Sequence, residues 1–150
     1  MNQPETPIQC TIRTAIPDDA PHILRLTQQV CYYLTERQAW EWLAVRMHDR
    51  DTIVAVMTDG SIVGMVSVLD RFTLFIGRQV EILDLVVDEV WRGREIGTAL
   101  LNAAETWARQ RGVLKVRLRT DMIRSPLRRF LARHGYSGTF KTEFFFDKEL

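Results

Sequence analysis

Arg92-Gly93-Arg94-Glu95-Ile96-Gly97 puts two arginines and two glycines just ahead of an apolar-periodic run, and two carboxylates, Glu81 and Asp84, stand a few residues upstream. Backbone N–H groups at a helix start, backed by the positive end of the helix dipole, hold an anion, and glycines let a phosphate approach the chain closely. Two glycines before a helix also serve as a plain turn and a close helix–sheet contact, so the turn alone leaves both readings open. Where a phosphate turn would carry a third glycine, this chain has Glu95. A glutamate in the first turn suits a free helix but repels a bound anion if it points inward. The expectation is therefore a φ below zero at residue 95, a side chain turned outward between Arg92 and Arg94, and an anion site weakened rather than lost. On that reading Glu95→Gly tightens anion binding.

The upstream carboxylates carry the other chemistry. In a regular strand Glu81, Leu83, Leu85 and Val87 share one face and Asp84 belongs to the other. Asp84 is an acid inside an apolar run, and buried carboxylates need partners, so it either binds an amine or pairs with an arginine. His22, His48 and His134 are scattered, without H-E-x-x-H or a partnered cysteine, which argues against a metal site.

These residues need elements to hold them. "IQCTIRTA" alternates as a first strand. Asp18 or Asp19 then caps a helix with Ile23, Leu26 and Val30 inward. Thr35 and Gln38 form a capping box for a second helix that buries Trp40, Leu43 and Met47. Thr58-Asp59-Gly60-Ser61 between two β-branched runs reads as a hairpin. "QVEILDLVVD" is the strand leading into the glycine turn. The helix after it carries Ile96, Leu100, Ala103 and Trp107 on one face and stops at Gly112. "LKVRLRT" is a strand, Ser125-Pro126 opens a helix with Leu127, Phe130 and Leu131 inward that stops at Gly135, and "EFFFDKEL" closes as an edge strand. The class is α/β (α+β): a mixed, mostly antiparallel sheet of about six to seven strands with four helices on both faces, in a single domain over 1–150.

Composition narrows the function. The 150 residues carry 20 Lys and Arg against 19 Asp and Glu, a net charge of +1, which argues against a general polyanion binder. The basic residues crowd between Arg109 and Arg133, where Asp121 is the single acid, a block able to meet phosphates or to serve as a solvated face. Aromatic and basic residues do not interleave as in single-strand nucleic-acid grooves. No apolar run approaches a membrane span and the start of the chain lacks a signal-peptide pattern. Cys10 and Cys31 form no C-x-x-C pair, so a cytoplasmic protein with reduced thiols is expected.

The stretch from Leu85 to Gly97 resembles the acetyl-CoA loop of the GNAT superfamily of acyl-CoA-dependent N-acyltransferases, whose pattern is R/Q-x-x-G-x-G/A after an apolar strand. Arg92 matches the first position and Gly97 the last, and Glu95 departs in the middle. "TIRTAIPDDAPHILRL" is similar to the family's first strand and helix, and "RRFLARHGY" to its F-Y-x-x-x-G-F segment. A dinucleotide-binding Rossmann domain fits worse, because the first strand runs into Ile16-Pro17-Asp18 rather than a glycine turn.

What the resemblance implies is direct acetyl transfer from acetyl-CoA to a primary amine of a small molecule or peptide. Leu85, Val86 and Val87 would pair with the pantetheine arm, and Arg92, Gly93, Arg94, Glu95, Ile96, Gly97 and Thr98 would hold the phosphates. Glu81, eleven residues before Arg92, has the spacing of the family's general-base glutamate; the alternative is a solvated residue at the strand's start. Asp84 is the second catalytic candidate. Other branches use the position that is Leu83 here, which closes that route. The family's acidic tyrosine is replaced by Leu131; Tyr32, Tyr33 and Tyr136 are the substitutes to consider. Tyr32, Tyr33, Trp42 and Arg119 are the acceptor-side candidates, and a homodimer is left open. The competing reading is a non-catalytic protein of the same fold that binds acetyl-CoA and regulates a partner, which the departures at Leu131 and Glu95 favour.

Overall fold

In the computed structural model, residues 9–120, 125–138 and 146–150 are described. They fall into two compact units, Met1–Arg119 and Thr120–Leu150. The first is built from β1 (Cys10–Thr14), α1 (Ala20–Gln28), α2 (Glu36–Ala44), β2 (Arg50–Met57), β3 (Ile62–Thr73), β4 (Gly77–Val87), α3 (Ile96–Gln110) and β5 (Val116–Leu118), with single 3-10 turns at Pro17–Asp19 and Glu89–Trp91.

The sheet order is β1-β2-β3-β4-β5, antiparallel except for the parallel β4–β5 pair. Among the described residues the sheet has five strands, against the six to seven expected. Residues 143–145 of the expected last strand lie outside the described residues, and 146–150 are not strand. The β2–β3 hairpin forms where the Thr-Asp-Gly-Ser turn predicts it. Gly60 takes φ +85°, and the Asp59 Oδ1 accepts from the Ser61 N–H at 2.9 Å and hydroxyl at 2.6 Å.

Helices cover both faces of the sheet. A Cβ built on Gly64 would fall 2.8 Å from Leu100 Cδ1 and 3.1 Å from the Val86 carbonyl oxygen, so glycine is what lets α3 lie close on β3. The next residue, Met65, faces the opposite way, into a buried cluster with Ile23, Leu26, Val54, Ile62 and Val86 beneath α1. In α3 the inward face is Ile96, Leu100, Ala104 and Trp107, with Ala104 buried in place of the expected Ala103, which is only half-buried, and Gly112 at φ +70° follows the helix as expected.

Two helical expectations change. Asp19 stands at the start of α1 but caps nothing with its side chain; it pairs with Arg13 at 2.7 and 3.0 Å and accepts from the Ile16 N–H at 2.9 Å. Burial pushes the Asp19 carboxyl up, and the Arg13 and Ile16 donors more than offset this and hold it below the ordinary range. In α2 the Thr35–Gln38 capping box forms, with contacts of 3.2 and 2.9 Å. The helix ends at Ala44, however, so it buries Ala39 and half-buries Leu43, while Trp40 and Met47 are about half exposed.

The second unit contains α4 (Ser125–Arg133), whose Leu127, Phe130 and Leu131 are half-buried as the spacing predicts, with Gly135 at φ +82° just beyond it. Among the described residues no helix is long and apolar enough to cross a membrane.

Candidate active site

The strand β4 is not regular. Its register against β3 runs Arg71↔Gln79, Leu69↔Glu81, then Ser67↔Asp84 and Met65↔Val86, so a bulge leaves Leu83 without an opposite number. Residues paired directly across an antiparallel ladder share a face, and Met65, Ser67, Leu69 and Arg71 alternate along β3 on one side. Glu81 and Asp84 therefore lie on the same face. This corrects the expectation from strict alternation that set them on opposite sides; the extra residue at Leu83 inverts the count.

Their surroundings differ. Glu81 is 2% exposed and held by the Arg71 guanidinium, which donates to both carboxylate oxygens at 3.2 Å, and by the Gln79 side-chain amide at 2.9 Å. Asp84 opens into a cleft of about 350 Å³ beneath α1 and α2. The cleft walls are mostly apolar, with Val86, Met65 and Trp42 among them, and Thr52 and Tyr32 add hydroxyls. Asp84 is itself exposed at the mouth of this cleft, but the apolar walls displace water from its carboxyl and push it above the ordinary carboxylate range, opposed by a hydrogen bond from the Ser67 side chain. Of the other acceptor-side candidates, Trp42 lines the cleft, whereas Tyr33 is 81% exposed and, like Arg119, is not among the lining residues.

Beside Asp84 the sheet splays. β4 pairs with β5 over Val80↔Val116, Glu81↔Arg117 and Ile82↔Leu118, and the Arg119 N–H reaches the Ile82 carbonyl at 3.4 Å. From Leu83 to Val87 that edge of β4 has no strand partner among the described residues. An edge of this kind offers peptide groups to an extended ligand.

The turn after β4 is anchored to α1. The Arg25 guanidinium donates to Asp88 and, at 2.9 Å, to the Ile62 carbonyl, and the Gln29 side chain accepts from the Glu89 N–H at 3.1 Å. Burial raises the Asp88 carboxyl, but Arg25 and the Val90 N–H outweigh it and hold Asp88 below the ordinary range. Nothing local in the sequence announces this pairing, because its partners are 63 positions apart. Arg92 Nε donates to the Val87 carbonyl at 3.1 Å, and the Arg94 guanidinium sits 5.1 Å over the Trp91 ring.

Gly93 takes φ +74°, and a Cβ there would meet nothing within 4 Å. Glu95, immediately before α3, has φ +64° and ψ 7°, a left-handed conformation, and its side chain makes no capping hydrogen bond. The expected negative φ is thus overturned. The turn requires the backbone that a glycine adopts freely, and glutamate adopts it under strain of about 1 kcal/mol. Glu95→Gly should raise stability by roughly 0.5 kcal/mol, the relief of strain exceeding the added freedom of the unfolded chain. Glu95→Ala should not share the gain. Urea midpoints of the two variants check this, and equal midpoints would remove the strain argument.

An α/β fold with a strand edge left open, a carboxylate at an apolar cleft beside it and a glycine-bearing turn opening a helix is the arrangement found here. The chain belongs to the Acetyltransferase (GNAT) family, whose model matches residues 19–136. It is 31% identical over 144 residues to the aminoalkylphosphonate N-acetyltransferase of Salmonella typhimurium, covering 94% of this chain and 92% of that one. Among solved structures it is similar to a transcriptional regulator of Bacillus halodurans C-125, with TM-score 0.79 and 22% identity over 93% of this chain and 100% of the other. It is also similar to glucosamine-6-phosphate N-acetyltransferase from Arabidopsis thaliana, with TM-score 0.74 and 22% identity over 93% and 99% of the two chains.

Proposed function

We propose that this protein is an acetyl-CoA-dependent N-acetyltransferase acting on a small primary amine, with Asp84 rather than Glu81 as the group that receives the proton. The observation that carries the reading is the position of the Asp84 carboxyl, at the mouth of a largely apolar cleft that raises it and beside the unpaired end of β4. Acetyl-CoA supplies an electrophilic thioester carbonyl and a thiol of pKa about 8.5, a tolerable leaving group near neutrality even with Leu131 in place of an acidic tyrosine.

The residues of this chain fit that cosubstrate. Leu85, Val86 and Val87, on the edge of β4 without a strand partner among the described residues, would offer peptide groups to its arm, although the Val87 carbonyl already accepts from Arg92 Nε. The start of α3 at Ile96, Gly97 and Thr98 gives N–H groups to its phosphates, and Arg92, Arg94 and the open space at Gly93 flank them. An amine arrives as an ammonium of pKa about 10.4 and must lose a proton before it can attack. A carboxylate whose basicity is raised by its surroundings is better matched to that task than one held by a guanidinium, as Glu81 is. Tyr32 and Trp42 border the acceptor. The small amine is also in keeping with the N-acetyltransferase named among the relatives, and the free thiols of Cys10 and Cys31 suit the cytoplasm.

The test is thiol release from acetyl-CoA over a panel of primary amines, with the product identified by mass. Acetylated amine in proportion to released thiol is expected. Saturable acetyl-CoA binding with no turnover of any amine would instead establish the regulatory alternative.

A further inference from the structure

The cleft at Asp84 has a neighbour. A smaller hollow of about 120 Å³ adjoins it and shares Trp42, Leu43 and Thr52 as a common wall, with Ser67 and Leu83 on its floor. Ser67 also hydrogen-bonds Asp84, so this lining residue of the smaller hollow is joined directly to the carboxylate that lines the larger one. Their charges are segregated. Among the residues lining the larger lobe Asp84 is the charged one, and the smaller lobe carries Arg46 and Arg50.

Both guanidiniums have donors to spare. Arg46 makes one long contact, 3.4 Å to the Ala15 carbonyl, out of five N–H groups. Among the described residues Arg50 is held by its sequence neighbour Asp49 alone, at 3.3 and 3.4 Å, with both side chains about half exposed. A pair so placed contributes little and yields readily to a better-aligned anion. The one acid in this lobe, Asp51, has both oxygens engaged, by the Thr14 hydroxyl at 3.1 Å and the Thr52 N–H at 2.9 Å. Arg119, the acceptor-side cation expected from the sequence, lines neither lobe.

Resting on the N-acetyltransferase reading, we infer that the acceptor is a small amine bearing an anionic group on a short spacer, its nitrogen at Asp84 and its anion between Arg46 and Arg50. A carboxylate and a phosphonate share the required chemistry: oxygens that take paired hydrogen bonds from guanidinium. An alkylamine of equal length fills the larger lobe but leaves both arginines without a partner, and polar groups built for a ligand discriminate strongly against its absence.

The experiment compares kcat/KM, by thiol release from acetyl-CoA, for 3-aminopropylphosphonate and β-alanine against propylamine. The anionic amines should be favoured by about 10- to 100-fold, the range for charge-assisted hydrogen bonds. Arg46→Gln and Arg50→Gln should each shrink that ratio several-fold, chiefly through KM of the anionic amine. The choice between phosphonate and carboxylate is read from the same data. Propylamine used as well as the anionic amines, or a ratio that falls with Arg119→Gln and not with the other two, overturns the inference and leaves the N-acetyltransferase reading standing. Absence of turnover across the whole amine panel overturns both.

Discussion

Asp84→Asn is expected to lower kcat/KM by about 10²- to 10⁴-fold, the range for removal of a positioned general base, while the protein stays folded. The pH dependence follows from the raised carboxyl. In the wild type the rate climbs with pH as Asp84 ionises, and the climb falls above the ordinary carboxylate range because the apolar cleft shifts it there. In Asp84→Asn that limb disappears. Stability moves oppositely. A carboxyl whose folded pKa is raised lets the folded protein bind the proton more tightly than the unfolded chain. Its contribution is therefore favourable at low pH and is lost as pH rises from the ordinary carboxylate range through the folded value. Asn carries no charge to desolvate, so the variant should be no less stable than wild type at neutral pH. A variant that keeps its activity and its rising limb would exclude Asp84 as the proton acceptor.

The largest expected effect on stability belongs to Arg71→Met. It strands the Glu81 carboxylate, 3% exposed at its side chain, with only the Gln79 amide as partner. Loss of one member of a buried pair costs about 3–5 kcal/mol; because Arg71 is itself 43% exposed, about 2–3 kcal/mol is the better expectation here. That corresponds to a fall in Tm of roughly 5–10 °C for a chain of this size. Glu81→Gln should cost less, since it leaves a half-exposed guanidinium that water can solvate and a side chain that still meets Gln79. The double variant Arg71→Met/Glu81→Leu should recover much of the loss, as apolar replacement of a buried pair does. Thermal melts and turnover measured together separate the two carboxylates. If Glu81→Gln destroys turnover with an unchanged melting temperature, Glu81 does chemistry and the assignment to Asp84 is wrong.

Much of this arrangement is legible in the sequence where it depends on local pattern. The hairpin follows from Gly60 in a turn that needs positive φ, and Ile96, Leu100 and Trp107 of the inward stripe of α3 from spacing alone, while Ala104 rather than Ala103 completes it. The turn before α3 is recognised from Arg92, Gly93 and Gly97 together with the apolar strand ahead of them. What stays hidden depends on distant partners or a broken period. Arg25 meets Asp88, and Arg71 meets Glu81, only after the chain has folded back on itself. Trp40 and Met47 are spaced as a helical core, but Trp40 lies on the half-exposed side of α2 and Met47 falls three residues beyond its end at Ala44. The left-handed backbone at Glu95 escapes because glutamate is a poor signal for it, although the missing glycine marks the position.

Leu83 changes what it means to count along this chain. Arg92 is a fixed origin for residues on its own side of the bulge, so Leu85 and Val87 can be assigned a side by even and odd steps. Beyond Leu83 the ruler slips by one notch, and any residue located by its distance from Arg92 acquires the wrong side. Deleting Leu83 would remove the slip: the ladder would run straight, and Glu81 and Asp84, then two positions apart, would share a face by plain alternation. Motif offsets measured across this position are thus a property of the bulge as much as of the residues they connect.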